Sequence, residues 1–318
     1  MWFRKSGDFM KNCTIIYNPE SGKKDFINHL PYVKSKLEDI GYEVKVKATK
    51  KSKHAINIAK GACKEEVDLL VISGGDGTLH ECINGIAQCE FRPRIGYIPS
   101  GTACDLASTL RIPKNVEKAL DIILTGEPVK MDIAKSNKGY FMYVTAIGTY
   151  VDISYVTDSK LKKYLGYFAY LLTGIKEFFT IPMIKTKLVH DKGIIRGYFS
   201  LIMVVNSKKV AGFNIVNKPA LDDGKVDVIL YRYIPLLNNL IYFISFLMSP
   251  KFLPGVTRFR TSRLKIFTDH HHKWNSDGEE SNSGNLYIEV KKQAVDIIIR
   301  PEIKNKYFKE QWYENQRY

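Results

Sequence analysis

A glycine-rich pentapeptide, Gly74-Gly75-Asp76-Gly77-Thr78, follows an apolar run and opens a segment with helical spacing. Glycines let a ligand approach the backbone closely, and free N–H groups at a helix start favour a phosphate. A carboxylate would repel a bare phosphate but suits a phosphate that carries Mg²⁺. The pentapeptide therefore predicts a site for a Mg²⁺-bound phosphate, with an ordinary strand–turn–helix glycine turn as the simpler alternative.

Two further glycine loops occupy comparable places in the chain. Residues 18–22 (NPESG) follow the first strand-like run, and residues 99–102 (PSGT) follow the fourth. In an open α/β sheet, ligands bind outside the carboxyl ends of the strands, so loops at those ends share one edge. Thr49, which ends the second strand-like run, belongs to the same edge. Three polar glycine loops predict one crevice, without the spacing of a GxGxxG or Walker A motif.

A fourth segment with reactive side chains, Ser276-Asp277-Gly278-Glu279, lies far along the chain. Alone, an Asp-Gly pair predicts a hairpin turn. It gains a chemical role if the second half of the chain folds back over the crevice. Phosphoryl transfer to a hydroxyl uses Mg²⁺, positioning and often a carboxylate that accepts the hydroxyl proton. Asp277 is the candidate for that base.

The elements that must position these loops alternate between strand and helix over the first 130 residues. Continuous apolar runs predict buried parallel strands, and apolar residues at helical spacing predict the helices between them. Repeated βαβ units imply an open parallel sheet with helices on both faces. The predicted strands are residues 13–17, 43–48, 68–73 and 94–99, and the predicted helices are residues 24–40, 52–66 and 78–87.

From residue 130 onward most segments have strand character and are separated by turns that carry Gly or Asp. This change predicts an antiparallel, all-β second domain, with the boundary near Asp132. Helical patterns interrupt it at residues 159–179 and 235–248, and residues 305–318 are predicted to form a closing helix. The predicted strands are residues 140–146, 185–190, 198–205, 226–231, 263–268, 286–291 and 295–299.

The charge of the chain is unevenly distributed. Its 318 residues carry 48 Lys+Arg and 33 Asp+Glu, a net charge of +15. Residues 1–133 contain 20 basic and 17 acidic side chains, whereas residues 134–299 contain 23 and 13. An anionic partner should therefore meet the second half. The charge by itself would fit nucleic acid as well as a membrane surface, but no helix-turn-helix, zinc-finger or base-stacking pattern accompanies it, so nucleic acid is not the predicted partner.

Cysteine usage and hydropathy bear on the compartment. Five cysteines without a CxxC pair argue against a disulfide framework or a zinc site. The first ten residues lack the apolar run of a secretory signal. The apolar stretches at residues 164–184 and 236–248 are interrupted by charge or too short to span a bilayer. We therefore expect a cytoplasmic protein that is soluble or peripherally attached to a membrane.

Taken in order, the motifs Asn-Pro-x-Ser-Gly, Gly-Gly-Asp-Gly-Thr, Pro-Ser-Gly-Thr and Asp-Gly-Glu resemble the diacylglycerol kinase catalytic-domain family, which includes the sphingosine and ceramide kinases. The resemblance spans residues 18–301. Bacterial soluble diacylglycerol kinases are the most similar members, through residues 130–132 (KMD), 158–162 (DSKLK) and 221–224 (LDDG). It implies an ATP- and Mg²⁺-dependent lipid kinase, most simply one that converts diacylglycerol into phosphatidic acid.

The resemblance implies a two-domain α/β fold with the active site between the domains. An N-terminal open parallel-sheet domain, residues 11–132 with the tail 300–318 packed back on it, would bind ATP. A C-terminal antiparallel β-sandwich, residues 133–299, would bind the lipid. The residues around ATP would be Asn18, Pro19, Glu20, Ser21, Gly22, Thr49, Gly74, Gly75, Gly77, Thr78, Leu79, His80, Glu81, Ser100, Gly101 and Thr102.

The resemblance also implies roles for the acidic residues. Asp277 would be the catalytic base and Glu279 would lie beside the nucleotide, with the division of labour between them left open. Asp76 would act near Mg²⁺ and the transferred phosphate. The remaining implied sites are a link between the domains, in which Asp132 and Asp222 make polar contacts with Thr102, and a structural Mg²⁺ held by Asp223 and the carbonyls of Ala220 and Lys225.

Two positions depart from the common family pattern. At position 80 the common pattern has Asn, whereas this chain has His, which is similar to the sphingosine kinases. At position 104 the chain has Cys where the family usually has Asn. Because Cys offers far less hydrogen bonding than Asn, a weakly active or degenerate member that acts as a lipid sensor is one alternative. A kinase for another lipid alcohol is the second, since apolar acyl pockets leave no sharp motif. A soluble kinase of the NAD kinase type is disfavoured by the PSGT loop and the basic second half.

A lipid substrate requires docking on a bilayer. Residues 159–179 combine Lys160, Lys162 and Lys163 with a Tyr-, Phe- and Leu-rich run, the composition of an interfacial helix, although burial in the core is an equal alternative. Residues 236–248 are a second candidate. The expected location is the inner, anionic face of the membrane, and the aromatic content also permits a homodimer.

Overall fold

The computed structural model describes residues 11–137, 139–149, 181–217, 219–248, 253–269 and 272–308. The predicted docking helix at residues 159–179 and the part of the predicted closing helix beyond residue 308 lie outside the described residues. Within the described ranges, no helix has both the length and the apolar character needed to cross a bilayer.

The first part of the chain forms the predicted parallel sheet. Strand β1 pairs in parallel with β2 and β3, and β3 pairs in parallel with β4. Every residue of β3 is buried, as expected for a central strand covered on both faces. The elements are β1 (Lys11–Tyr17), α1 (Phe26–Asp39), β2 (Tyr42–Ala48), α2 (His54–Lys64), β3 (Leu69–Gly74), α3 (Asp76–Ile86), β4 (Arg94–Pro99), α4 (Asp105–Leu110) and α5 (Val116–Thr125).

The second part is rich in antiparallel strands, which confirms the predicted fold class. Buried side chains of these strands pack around Trp274, whose Nε1 donates to the Gly284 carbonyl at 2.8 Å. The elements are β5 (Glu127–Ser136), β6 (Gly139–Phe141), β7 (Val144–Gly148), β8 (Ile184–His190), β9 (Gly193–Val205), β10 (Lys209–Val210), β11 (Phe213–Asn214), β12 (Val226–Arg232), α6 (Asn238–Met248), β13 (Val256–Thr261), β14 (Arg263–Thr268), β15 (Lys273–Ser276), β16 (Glu279–Ser283), β17 (Leu286–Ile299) and α7 (Pro301–Tyr307).

Strand β17 joins the two parts of the fold. It pairs in parallel with β4 and antiparallel with β5 and β14, so the sheet is continuous across the described residues. The sequence predicted two strands here, at residues 286–291 and 295–299. They are one strand whose register shifts between Lys291 and Val295, and Gln293 takes a left-handed φ of 51° at that irregularity.

Several predicted elements differ in extent. The strand predicted at residues 140–146 is split between β6 and β7, because residues 142–143 leave the ladder to contact the site described below. Helix α6 begins at Asn238 and not at residue 235. Helix α7 starts at a proline, which is favoured at a first helical position, and shares only residues 305–307 with the predicted closing helix at residues 305–318. Helices α4 and α5 were not predicted.

Candidate active site

The loops after β1, β3 and β4 come together at one edge of the parallel sheet. Asn18 N donates to the Ser73 carbonyl at 3.0 Å, and Ser100 N donates to the Gly74 carbonyl at 3.0 Å. A Cβ atom at Gly22, where φ is +56°, would lie 1.7 Å from the Ser100 carbonyl oxygen, so only glycine fits this position. The structure thus places the three predicted glycine loops in direct contact.

Bare backbone lines the meeting point of these loops. A Cβ atom at Gly101 would lie 2.6 Å from the Gly75 Cα, and one at Gly75 would lie 3.7 Å from Ser21 Oγ. Helix α3 begins at Asp76, directly after Gly75, so its first N–H groups lie at the meeting point of the loops. Asn18 Nδ2 donates to Thr78 Oγ1 at 3.2 Å. This arrangement suits a phosphate, which gains N–H donors and the positive end of the helix dipole.

Asp76 is the acidic residue of this edge. Its Oδ2 accepts a hydrogen bond from Asp105 N at 3.3 Å, whereas its buried Oδ1 has no hydrogen-bond partner in the described part of the chain. Burial, and next the Asp105 carboxylate, raise the pKa of Asp76 to about 7, with a smaller contribution from Asp277. A cation at Oδ1 would relieve both the missing partner and the like-charge repulsion.

Asp277 lies in the tight turn of the β15–β16 hairpin, with φ of 52° there and 88° at the following glycine. Its side chain is fully buried. The carboxylate accepts hydrogen bonds from three backbone N–H groups, namely Met142 at 2.7 Å, Tyr143 at 3.0 Å and Val144 at 3.0 Å. His80 Nδ1 completes the set at 3.0 Å from Oδ2. The Asp-Gly pair is therefore both a hairpin turn and a bridge between the hairpin and α3.

His80 on α3 is held on both sides of its ring. Burial alone would lower the pKa of His80, but the hydrogen bond and charge of Asp277, together with Glu279 and Glu81, raise it overall. On the other side, Asn84 Nδ2 lies 3.1 Å from Nε2. The Tyr140 carbonyl accepts from Asn84 Nδ2, and Tyr140 N donates to Asn84 Oδ1, which fixes the amide with its nitrogen toward the ring. Because a carboxylate oxygen can only accept, Nδ1 carries the hydrogen of the His80–Asp277 contact.

Glu279 lies beside the first turn of α3. A Cβ atom at Gly77 would fall 2.6 Å from Glu279 Oε1, so the absence of a side chain at Gly77 makes room for the carboxylate. Residue 279 is exposed, in contrast to the buried Asp277. Of the two predicted catalytic carboxylates, one is thus enclosed by hydrogen-bond donors and the other faces the solvent beside the glycine loop.

Other predicted nucleotide contacts occupy more varied surroundings. Glu81 accepts hydrogen bonds from Lys53 N at 2.6 Å and Ala55 N at 3.1 Å, and so caps α2. Leu79 is fully buried in the hydrophobic core. Glu20 is exposed and forms an ion pair with Lys24. The structure places Thr49 N 2.9 Å from the Tyr17 carbonyl, next to the first loop, while Pro19 and Thr102 belong to the loops already described.

Asp132, one of the two acids predicted to link the domains, contacts the turn at residues 220–225 and β17. Asp132 is buried, and its two oxygens accept from Gly224 N at 2.6 Å and from Gln293 N at 2.7 Å. The Thr102 carbonyl accepts from Lys114. Asp132 therefore holds the turn at residues 220–225 and β17 together, and its described hydrogen bonds do not involve Thr102. Asp222, in the same turn, is also fully buried.

Two further residues shape this region: Asp105, which the sequence analysis did not single out, and Cys104, which it noted as a departure from the family pattern. Asp105 accepts from Ala211 N and, at 2.9 Å, from Gly212 N, so it ties α4 to the β10–β11 hairpin. The sequence signal that could have identified Asp105 is its position shortly after the third glycine loop, residues 99–102. Cys104 is buried with a left-handed φ of 53°, and burial, followed by the Asp76 charge, raises the pKa of its thiol to about 11. The thiol is thus protonated at neutral pH.

The buried side chains of Asp76, Asp132 and Asp227 should make the stability of the protein depend on pH. Burial is the largest cause that raises the pKa values of Asp76 and Asp132 to about 7 and that of Asp227 to about 6. Each therefore takes up a proton on folding, and the stability it contributes below its raised pKa is lost as pH rises through that value. His80 acts in the same direction. We expect the urea midpoint of the metal-free protein to rise from about pH 8 to about pH 5; a steady fall would contradict these environments.

Comparisons with known proteins agree with this geometry. A sequence profile of the diacylglycerol kinase catalytic domain matches residues 12–136. A diacylglycerol kinase from Staphylococcus carnosus is 39% identical over 223 residues, which cover 70% of this chain and 73% of that protein. One from Staphylococcus aureus is 39% identical over 221 residues, 69% of this chain and 70% of its own.

A solved structure shares the fold as well. The crystal structure of a diacylglycerol kinase from Bacillus anthracis superposes with a TM-score of 0.77 at 26% sequence identity, and the match covers 94% of this chain and 100% of that one. The glycine loops, the buried carboxylates and these relatives lead to one conclusion: the chain belongs to the diacylglycerol kinase family and is a lipid kinase.

Proposed function

We propose that the chain transfers the terminal phosphoryl group of ATP to the hydroxyl of diacylglycerol, in a Mg²⁺-dependent reaction that yields phosphatidic acid. The observation that carries the proposal is Asp76, which directly follows Gly75 of the backbone-lined cradle and whose buried Oδ1 has no hydrogen-bond partner among the described residues, together with the Asp277–His80 pair. The cradle would bind the phosphates of ATP, and the Asp277–His80 pair would accept the proton of the lipid hydroxyl. The names of the relatives in Staphylococcus support diacylglycerol as the acceptor.

The nucleotide phosphates would be bound by the three glycine loops. The backbone around Gly75 and Gly101, the first N–H groups of α3 and Ser21 Oγ offer donors without a side chain in the way. Asn18 and Thr78, hydrogen-bonded to each other, hold the first loop against α3. Glu81 fixes the start of α2, and thereby the end of the site near Thr49.

The residues present fit an active-site Mg²⁺. Asp76 Oδ1 is a buried oxygen that lacks a partner among the described residues, and oxygen is the ligand that Mg²⁺ prefers. No group of three or more His, Cys, Asp or Glu side chains in the described ranges could hold a metal by itself, so phosphate oxygens and water would complete the shell. When bound, the ion would neutralise charge on the phosphates during transfer.

The proton of the lipid hydroxyl would be taken up by the Asp277–His80 pair. Three backbone N–H groups hold Asp277 in place, and His80 Nδ1 shares its proton with Oδ2. In this proposal an oxygen of Asp277 takes the hydroxyl proton as the hydroxyl oxygen bonds to the terminal phosphorus and ADP leaves, so the carboxylate becomes a neutral acid, and the His80 contact orients it. Glu279, exposed beside Gly77, would lie beside the bound nucleotide.

Membrane contact would involve the basic second half of the chain, on the inner face of the membrane. Besides the charge of residues 134–299, three leucines at the start of α6 are exposed, namely Leu236, Leu237 and Leu240. Exposed apolar side chains next to a basic surface are typical of interfacial docking. The proposed domains are residues 11–132 with residues 300–318 for ATP and residues 133–299 for the lipid. A homodimer remains a prediction.

A lipid panel tests the acceptor. Purified protein, ATP and Mg²⁺ are incubated with mixed micelles of diacylglycerol, phosphatidylglycerol, a polyprenol or sphingosine, and with NAD in the absence of lipid. We expect kcat/KM to be highest for diacylglycerol, with labelled phosphatidic acid as the product. Preference for another alcohol would replace diacylglycerol in the proposal, and phosphorylation of NAD alone would refute a lipid acceptor.

A further inference from the structure

The turn at residues 220–225 gathers oxygen atoms around a single point. The side chain of Asp223 and the carbonyls of Ala220 and Lys225, the set implied for a structural Mg²⁺, all face the guanidinium of Arg260. Arg260 donates to Asp223 Oδ2 at 2.6 Å and to Oδ1 at 3.1 Å. It also reaches the Ala220 carbonyl at 3.5 Å and the Lys225 carbonyl at 3.4 Å.

The strand pairing explains why Arg260 lies there. β12 and β13 are antiparallel, and Asp227 stands directly opposite Arg260 in the ladder. Directly opposed side chains on one face of a sheet are neighbours, and opposite charges favour the pairing. Arg260 Nε lies 3.5 Å from Asp227 Oδ2. The backbone therefore directs the guanidinium toward the turn, where Asp223 binds it through both carboxylate oxygens.

These contacts do not fit a bound Mg²⁺. The ion needs oxygen ligands at about 2.1 Å in an octahedron and keeps several water molecules. A guanidinium within hydrogen-bond reach of the carboxylate and both carbonyls occupies the space the ion would need. Its positive charge would also repel a divalent cation at that distance. This turn differs in that respect from Asp76, whose buried Oδ1 has no protein donor in the described part of the chain.

The turn matters because it anchors other parts of the fold. Gly224 N donates to Asp132 Oδ2 at 2.6 Å, and Asp132 N donates to the Leu221 carbonyl at 2.7 Å. Leu221 N donates in turn to the Tyr307 carbonyl at 2.8 Å, in α7. The conformation of residues 220–225 therefore sets how β5, β17 and the closing helix meet.

We propose that Arg260 is a built-in cation that takes the place of the divalent ion at this turn. The chain's own guanidinium neutralises Asp223, satisfies the two carbonyls and makes this junction independent of free Mg²⁺. The inference does not rest on the proposed function, because it concerns the folding of the junction and its readout is thermal stability.

The test compares melting temperatures in excess EDTA and in millimolar Mg²⁺, without nucleotide and at constant ionic strength. It uses the Asp76→Asn background, so that Mg²⁺ at the catalytic edge does not contribute. With Arg260 present, we expect the two conditions to differ by less than about 1 °C. Arg260→Met should lower the melting temperature in EDTA by about 4 °C or more. Mg²⁺ should restore most of that loss, because the substitution frees the oxygens of Asp223, Ala220 and Lys225 to bind the ion.

Two variants control the experiment. Arg260→Lys keeps a positive charge and should show little response to Mg²⁺. Arg258→Met, on the same strand face, removes a guanidinium that donates to the Ile215 carbonyl, and should not create a Mg²⁺ response. Two results would overturn the inference: a Mg²⁺-dependent melting temperature with Arg260 present, or an Arg260→Met protein that Mg²⁺ does not stabilise.

Discussion

Replacing Asp277 with Asn should lower kcat by about 10³-fold, while the KM for ATP changes little. The carboxylate is the negative member of the proton-accepting pair, and the amide removes both its charge and its basicity. An Asn nitrogen at the place of Oδ2 would also face two donors, Met142 N and His80 Nδ1. The measurement is steady-state transfer from ATP to diacylglycerol, together with a thermal melt that shows the variant to be folded under assay conditions.

Two matched variants assign the loss to the pair. Glu279→Gln should cost less than about tenfold in kcat, because Glu279 is exposed beside Gly77, whereas Asp277 is enclosed by hydrogen-bond donors. His80→Asn should remain active, since Asn is the usual family residue and also donates to a carboxylate, but the inflection that His80 contributes to the pH profile of kcat should disappear. A full loss in Glu279→Gln with an active Asp277→Asn would reverse the two roles.

Replacing Asp76 with Asn should have opposite effects on activity and stability. The variant should lose about 10²- to 10³-fold in kcat, because the oxygen that would hold Mg²⁺ loses its charge. It should also melt at a higher temperature than the wild type in EDTA at about pH 8, since the Asp76 charge is withdrawn from water and repelled by Asp105 and Asp277. Functional sites commonly hold such unfavourable charges.

Asp105→Asn is the control for this second prediction. Asp105 also contributes to the repulsion, but it accepts hydrogen bonds from Ala211 N and Gly212 N that an amide can satisfy only in part. We therefore expect Asp105→Asn to be less stable than the wild type, in contrast to Asp76→Asn. If Asp76→Asn melts lower than the wild type in EDTA and keeps its activity, the role given to Asp76 is wrong.

The parallel sheet and its glycine loops could be predicted because local pattern specifies them. Each strand before a loop is a short apolar run, and glycines mark the places where backbones approach, as at Gly22 and Gly101. Strand β17 could not be predicted as one element, because residues 291–293 are polar and the register shifts there. A tertiary contact keeps the strand continuous, because Asp132 accepts a hydrogen bond from Gln293 N.

The surroundings of the acidic residues were less predictable, since they depend on partners distant in sequence. Asp277 is held by the N–H groups of residues 142–144, which the sequence assigned to the middle of a strand. Arg260 reaches Asp223 because β12 and β13 pair in one register, and no motif encodes that contact. Motifs therefore located the reactive residues, whereas strand register determined which of them are paired.

The most direct test of the account is the transfer of labelled phosphate from ATP to diacylglycerol in mixed micelles. The wild type should form labelled phosphatidic acid with Mg²⁺ and none in excess EDTA, and both Asp76→Asn and Asp277→Asn should fall close to background while remaining folded. A wild-type protein that binds ATP but labels no lipid alcohol, or a folded Asp277→Asn protein with wild-type turnover, would contradict the account.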